Sequence, residues 1–171
     1  MIIRRETIAD RPLVAAVTTA AFGQPDGDQP PPETRLLAAL RGDPGWIETL
    51  SVVAVREERV IGHAVCTRGW LGDVPGLGLG PVSVLPAHQR QGVGQALMHT
   101  IIGAADAARE PFIALLGDPH FYGRFGFLAA SGLGIAAPGP GWGPHFQVRL
   151  LTDRPASLTG TFRYASPFAD L

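Results

Sequence analysis

Hydrophobic positions in the first third of the chain recur at two spacings. Between Thr7 and Ala21 they lie three and four residues apart, which predicts an amphipathic helix, and Glu33–Leu40 predicts a second, shorter helix. Gln24–Pro32 is rich in proline, which removes amide donors, so it is predicted to be a stiff loop. The β-branched runs Leu50–Val55 and Val60–Thr67 are separated by four polar residues, which predicts a hairpin.

The middle of the chain predicts two strands joined by a long helix. Leu77–Leu85 has the composition of a strand, but Pro81 inside it predicts a bulge or an interruption of the hydrogen-bond ladder. From Val93 to about Arg109 the apolar residues keep a helical spacing, and Phe112–Leu116 predicts a buried strand. A strand, a helix and a strand of these lengths predict a right-handed parallel crossover.

The remaining segments are shorter. Pro119–Phe125 predicts one short helix, Phe127–Ala130 a short strand, Gly134–Pro144 a loop and Phe146–Leu151 a closing strand. With 171 residues the chain fits one domain, which at this size buries about 68–70% of its unfolded surface. The prediction is therefore a single α/β (α+β) domain over residues 1–171, built around a mixed sheet and without an internal repeat.

Composition narrows the classes of partner. Fourteen basic residues against fifteen acidic ones, with only 17% of residues charged, give no reason to expect nucleic acid or a membrane surface. A single cysteine excludes an intramolecular disulfide, and five dispersed histidines without ligand spacing predict no metal site. No apolar leader and no run of about 18 apolar residues is present, which predicts a soluble cytoplasmic protein.

The strongest chemical signal is the segment Gln89–Gly94, at the start of the predicted long helix. Gly92 and Gly94 let a bulky anion approach the main chain, and the free amides of a first helical turn favour a phosphate or diphosphate. Arg90 can add a forked contact. The segment is neither a Walker loop nor a dinucleotide fingerprint, and by itself such a pattern more often serves tight packing than ligand binding.

A second motif, FYGRFGF at Phe121–Phe127, changes that balance. Gln89, Gly92 and Gly94 followed by a helix and a strand, then Tyr122 four residues before Gly126-Phe127, resemble the GNAT superfamily of acyl-CoA-dependent N-acetyltransferases. The resemblance is strongest over Leu77–Ala130 and is closest to the small, uncharacterised bacterial branches. It implies a GNAT-like mixed central sheet with helices on both faces.

The resemblance also implies roles for individual residues. Acetyl-CoA would be the co-substrate, and Tyr122 would lie near the thioester sulfur, either as the acid for the leaving thiolate or only as a hydrogen-bond donor to it. The diphosphate and pantetheine contacts, with the signature glutamine, would come from Val82, Ser83, Val84, Gln89, Arg90, Gln91, Gly92, Val93, Gly94 and Gln95.

No motif identifies the general base. Glu33, Asp118, His120 or an ordered water are the alternatives, and Glu33 is equally well explained as a charge favoured at a helix start. The superfamily often has an asparagine after the fifth strand, whereas this chain has Gly117-Asp118-Pro119-His120 there.

The leading prediction is an N-acetyltransferase that moves acetyl from acetyl-CoA to a primary amine by direct attack in a ternary complex. The alternatives are a non-catalytic CoA-binding sensor or interaction module, and a nucleotide-binding domain that uses the same helix start. The acceptor, a small-molecule or peptide amine, would be recognised by the loops Gln24–Pro32 and Gly134–Pro144. Composition does not define the oligomeric state, and a homodimer stays open.

Overall fold

The computed structural model describes residues 1–23, 29–151 and 158–170, which form nine strands and four α-helices joined by short 3-10 turns. In chain order these are β1 (Ile2–Arg5), α1 (Arg11–Phe22), α2 (Pro32–Leu40), β2 (Trp46–Arg56), β3 (Arg59–Leu71), β4 (Val74–Val84), α3 (Val93–Ala107), β5 (Phe112–Leu116), α4 (Pro119–Tyr122), β6 (Leu128–Ala129), β7 (Ile135–Ala136), β8 (Phe146–Leu150) and β9 (Gly160–Arg163). Among the described residues, no helix has both the length and the apolarity needed to cross a membrane.

The strands form a mixed sheet in the order β1-β2-β3-β4-β5-β8-β6, and β9 pairs with β3 and β7 beside that path. The predicted hairpin is present as the antiparallel pair β2–β3. β4 and β5 run parallel on either side of the α3 connection, as predicted. The expected mixed central sheet is therefore confirmed.

Helices cover both faces of the sheet. The apolar side of α3, including Leu97, Met98 and Ile101, packs on one face against Leu77 and Ile113. On the other face, α1 and α2 bury residues such as Val14, Val17 and Leu37 against β2 and β3. Burial of these side chains from water stabilises the layers. The predicted fold class, an α/β (α+β) single domain with helices on both faces of a mixed sheet, is confirmed.

The carboxyl-terminal third differs from the sequence prediction. The strand predicted over Phe146–Leu151 is present as β8 (Phe146–Leu150), but it does not close the sheet, because β9 follows it and pairs with β3 at Trp70 and Leu71. Gly134–Pro144 is not wholly a loop, since β7 lies within it and pairs with β9. These strands have two and four residues, too short for a periodic pattern to reveal them.

Three helix boundaries also differ. The predicted helix from Thr7 begins as a 3-10 turn at Ile8–Asp10, and α1 follows from Arg11. The long helix ends at Ala107, two residues before Arg109. The single helix predicted over Pro119–Phe125 is α4 followed by a 3-10 turn, because a four-residue helix gives way to tighter geometry at its end.

β4 contains the irregularity that Pro81 predicted. The register between β3 and β4 shifts between the pairs formed by Ala64 and Cys66. A one-residue slip exchanges the two faces of a strand, so Val82 joins the cluster under α3 while the Ser83 hydroxyl lies 3.2 Å from that of Thr18 on α1. The bulge therefore determines which side chains of β4 face α3 beyond Gly80.

Candidate active site

β4 and β5 are paired over only two residues and then separate. Their parallel register joins Leu77 to Ile113 and Gly78 to Ala114. β4 continues to Val84, but beyond Gly78 it pairs with β3 alone among the residues that the structure describes. Backbone groups on the other edge of β4 are therefore left without a strand partner, and an extended ligand can use such an edge as an added strand.

The start of α3 lies next to the free end of β4. Gly92 is the residue before the helix, has a φ of 82°, and provides no side-chain cap. The amides of Val93, Gly94 and Gln95 belong to the first turn of α3, so they have no acceptors inside the helix. The positive end of the helix dipole lies at the same turn. Arg90 also has a positive φ, 57°, so the chain turns sharply just before the helix. This arrangement suits an anion.

A cavity of about 620 Å³ connects these features. Its walls come from the end of α1, the end of β4, the start of α3 and the α4 turn. The lining residues are Ala21, Phe22, Val82, Val84, Gln89, Arg90, Gly92, Gly94, Gln95, Asp118, Phe121, Tyr122 and Arg124.

Tyr122 lies in this cavity on the β5 side. Its ring rests on Gly117, directly after β5, where a Cβ would lie 2.2 Å from Cε2 of the tyrosine. Burial, and then the negative charge of Asp118 and the Cys66 thiol, raise the pKa of Tyr122 to about 12. The hydroxyl is protonated at neutral pH, and it has no hydrogen-bond partner among the described residues. It is free to donate to a ligand.

The backbone under Tyr122 is anchored from both sides. The Gly117 carbonyl accepts hydrogen bonds from Nε2 of Gln147 at 3.1 Å and from Nδ1 of His145 at 3.2 Å. The Asp118 carboxylate caps α4 by accepting from the His120 amide at 2.9 Å. These bonds hold the ring of Tyr122 in a defined place.

Two arginines supply positive charge to the cavity. Arg90 extends from the turn before α3, and Arg124 lies on the α4 side. The Arg124 guanidinium stacks 5.4 Å from the centre of the Phe121 ring and donates to the His120 carbonyl at 3.3 Å. The lining therefore has two cations and one carboxylate, that of Asp118, which favours an anionic ligand.

The structure brings most of the predicted cofactor residues together. Val82, Val84, Gln89, Arg90, Gly92, Gly94 and Gln95 line the cavity. Three others have side chains elsewhere: Ser83 faces α1, Val93 points from α3 into the core, and Gln91 donates to the Ala87 carbonyl. Their predicted role is through the main chain, which stays a prediction.

The candidate bases are placed differently from one another. Asp118 lines the cavity beside Tyr122. His120 is exposed on α4 and does not line the cavity, and Glu33 lies in the first turn of α2, also outside the lining. Gln24–Asp28, the larger part of the predicted Gln24–Pro32 acceptor loop, lies outside the described residues.

Sequence reasoning missed Ala21, Phe22, Phe121 and Arg124 as cavity residues. Phe22 gives no sequence signal, because only the packing of α1 on the sheet brings it to the cavity. Arg124 does give one: it follows Phe121 by three residues in a predicted helix, a spacing that places two side chains on one face.

Comparison with known proteins agrees with this geometry. The family profile described as "Acetyltransferase (GNAT) domain" matches residues 48–128. The Escherichia coli K12 protein YjhQ, an uncharacterized N-acetyltransferase, is 32% identical over 167 residues, covering 93% of this chain and 89% of its own. YhbS of the same strain, also an uncharacterized N-acetyltransferase, is 31% identical over 174 residues, covering 98% of each chain.

Solved structures show the same similarity. The crystal structure of E. coli YhbS in complex with CoA has a TM-score of 0.88 and 28% identity, covering 98% of this chain and 91% of that one. A GNAT family acetyltransferase from Brucella melitensis in complex with acetyl-CoA has a TM-score of 0.78 and 32% identity, covering 98% and 97%. The resemblance carried by Gln89–Gly94 and Phe121–Phe127 is confirmed, and the chain belongs to the GNAT family of acetyltransferases.

Proposed function

We propose that this protein transfers an acetyl group from acetyl-CoA to a primary amine by direct attack in a ternary complex. One observation carries the proposal: the unpaired edge of β4, the uncapped start of α3 and the Tyr122 hydroxyl all meet at one cavity. The three features match three parts of an acyl-CoA, namely its extended amide arm, its diphosphate and its thioester.

The ligand would be gripped mainly by main-chain groups. The diphosphate would accept hydrogen bonds from the amides after Gly92, with Arg90 adding charge, and the pantetheine amides would pair with Val82–Val84 as an added strand. Hydrogen bonds to a charged group are worth about 1.5–3 kcal/mol each, so several amides hold a diphosphate without lysine. Complexes of YhbS with CoA and of the Brucella protein with acetyl-CoA support this choice of ligand.

The reaction needs a donor to the departing thiolate. Attack of a neutral amine on the thioester carbonyl gives a tetrahedral oxyanion, and its collapse breaks the carbon–sulfur bond. Tyr122, whose pKa of about 12 keeps it protonated, donates a hydrogen bond or its proton to the sulfur. A proton also leaves the attacking amine, and Asp118, directly or through an ordered water, is favoured for that step over Glu33 and His120 because it lines the cavity.

The experiment follows release of free thiol from acetyl-CoA with a panel of primary amines: a polyamine, an amino acid, an aminoglycoside and a short peptide. We expect thiol release with at least one amine, and a decrease of about 10²–10⁴-fold in kcat for Tyr122→Phe. Because the hydroxyl has no partner among the described residues, the free energy of unfolding of that variant should be nearly unchanged. CoA binding without amine-dependent release would instead favour a non-catalytic CoA-binding module.

A further inference from the structure

A second tyrosine lies where β4 and β5 separate. Tyr164 follows β9, and its ring packs directly on Gly78, the last residue of β4 that pairs with β5. A Cβ at Gly78 would lie 2.5 Å from Cδ1 of Tyr164, so the ring occupies the space that a side chain would fill. Gly78 and Gly117 thus seat two tyrosines, Tyr164 and Tyr122, beside the point where the strands part.

Aromatic neighbours fix the position of Tyr164. Its ring centre lies 4.4 Å from that of Phe168 in a stacked arrangement, and 4.7 Å from that of Phe162 edge to face. Phe168 covers the next small residue along β4, since its Cε1 lies 3.8 Å from the place of a Cβ at Gly80. The two rings form a wall over Gly78 and Gly80.

Tyr164 is half-buried, and its hydroxyl has no hydrogen-bond partner among the described residues. Burial raises the pKa of Tyr164, and electrostatic interaction with Tyr122 and with Cys66 raises it further. The phenol therefore stays neutral and lies close enough to Tyr122 to interact with it.

The acyl end of the proposed ligand would lie near Tyr164 and Phe168. If its diphosphate lies at the start of α3 and its arm follows β4 from Val84 towards Gly80, the arm spans four residues, or about 13 Å at the rise of a strand. The thioester then lies near Gly80 and Gly78, with Tyr122 on the β5 side. Tyr164 and Phe168, which do not line the 620 Å³ cavity itself, would then lie beyond the acyl carbon.

We infer that Tyr164, together with Phe168, closes the acyl end of the site and restricts the donor to short acyl groups. This inference rests on the proposed function. In it, the ring of Tyr164 selects the acyl chain by its size, and the residues around Gly92 bind the CoA moiety.

The test is binding, so it needs no acceptor. Dissociation constants for CoA, acetyl-CoA, butyryl-CoA and hexanoyl-CoA are measured by calorimetry on the full chain. In the wild type, hexanoyl-CoA should bind about tenfold or more weaker than acetyl-CoA. In Tyr164→Ala this difference should shrink to about twofold, while the affinity for CoA itself stays nearly the same. Tyr164→Leu serves as a second variant with a milder loss of core volume.

Trp142→Ala is the matched control. Its ring belongs to the same aromatic group, 6.4 Å from that of Tyr164, but it packs on Gly139 and is not among the atoms nearest to Gly78 or Gly80. It should lower thermal stability without changing the ratio between hexanoyl-CoA and acetyl-CoA. Equal affinity of the wild type for all chain lengths, or an unchanged ratio in both Tyr164 variants, would overturn the inference. Failure of the wild type to bind any of the four ligands would contradict the proposed function itself.

Discussion

Gly117→Ala is a small change that should displace the Tyr122 ring without changing the affinity for CoA. The added methyl group would lie 2.2 Å from Cε2 and 2.7 Å from Cδ2 of Tyr122. Carbon atoms in ordinary contact are about 3.5–4.0 Å apart, so the ring must move by more than about 1 Å. The backbone at Gly117 cannot yield easily, because its carbonyl holds Gln147 and His145.

Two magnitudes follow from that displacement. A misplacement of about 1 Å in a reacting group costs about 100-fold in rate, so kcat should fall by about that factor. Overpacking of this kind costs about 1–3 kcal/mol, so the free energy of unfolding should also decrease. The proposed diphosphate contacts lie at the start of α3, away from Gly117, so the dissociation constant of CoA should change by no more than about threefold.

The assay compares thiol release, CoA calorimetry and urea unfolding for Gly117→Ala with the same change at Gly103. Gly103 is exposed inside α3 and no atom lies within 4 Å of its Cβ position, so alanine there should stabilise the helix by about 0.5–1 kcal/mol and leave kcat unchanged. If Gly117→Ala keeps the kcat of the Gly103 variant, Tyr122 is not the group whose position governs the reaction.

Three further predictions concern separate parts of the molecule. Gly92→Ala should lower the free energy of unfolding measured in urea by about 1–2 kcal/mol, because a φ of 82° is costly for alanine. It should also weaken CoA binding in calorimetry, because the added methyl group would point into open space at the cavity. Arg124→Gln should lower the affinity for CoA by about tenfold. If the guanidinium binds the 3′-phosphate, the loss of affinity should be smaller for CoA that lacks this phosphate, whereas equal losses would place the contact elsewhere. Hydrogen bonds from Arg4, and then from Thr7, hold the pKa of Asp10 well below its usual range. The stabilisation from ionised Asp10 is thus complete above about pH 4 and is lost as the pH falls through its folded-state pKa. Asp10→Ala should have a free energy of unfolding about 1–2 kcal/mol below that of the wild type at pH 7. Between pH 7 and pH 3, the free energy of unfolding measured in urea should fall less in Asp10→Ala than in the wild type.

Local patterns were sufficient where an element is long and buried. The spacing of apolar residues located α3 and β5 because one face of α3 and both faces of β5 are buried, and Pro81 located the bulge because proline cannot donate to a ladder. Gly92 and Gly94 located the uncapped turn before α3 for a similar reason, since the requirement acts on the backbone of those residues themselves.

Long-range packing explains what the sequence did not reveal. β1 has four residues, and pairing with β2 some fifty positions later makes it a strand. β9 brings Tyr164 onto Gly78, although the two are far apart in the chain, and no local pattern links a tyrosine to the glycine that seats it. Glu33 illustrates the converse, because its place in the first turn of α2 was predictable, whereas its position outside the cavity lining depends on how α2 packs.

The central claim, that main-chain amides at the start of α3 bind the diphosphate of CoA, is tested most directly by amide NMR of the ¹⁵N-labelled full chain. Titration with CoA should shift the signals of Gly92, Val93, Gly94 and Gln95 in a saturable manner, and more strongly than those of the exposed outer face of α3. Unchanged signals for these four amides at millimolar CoA, with or without shifts elsewhere, would contradict the account.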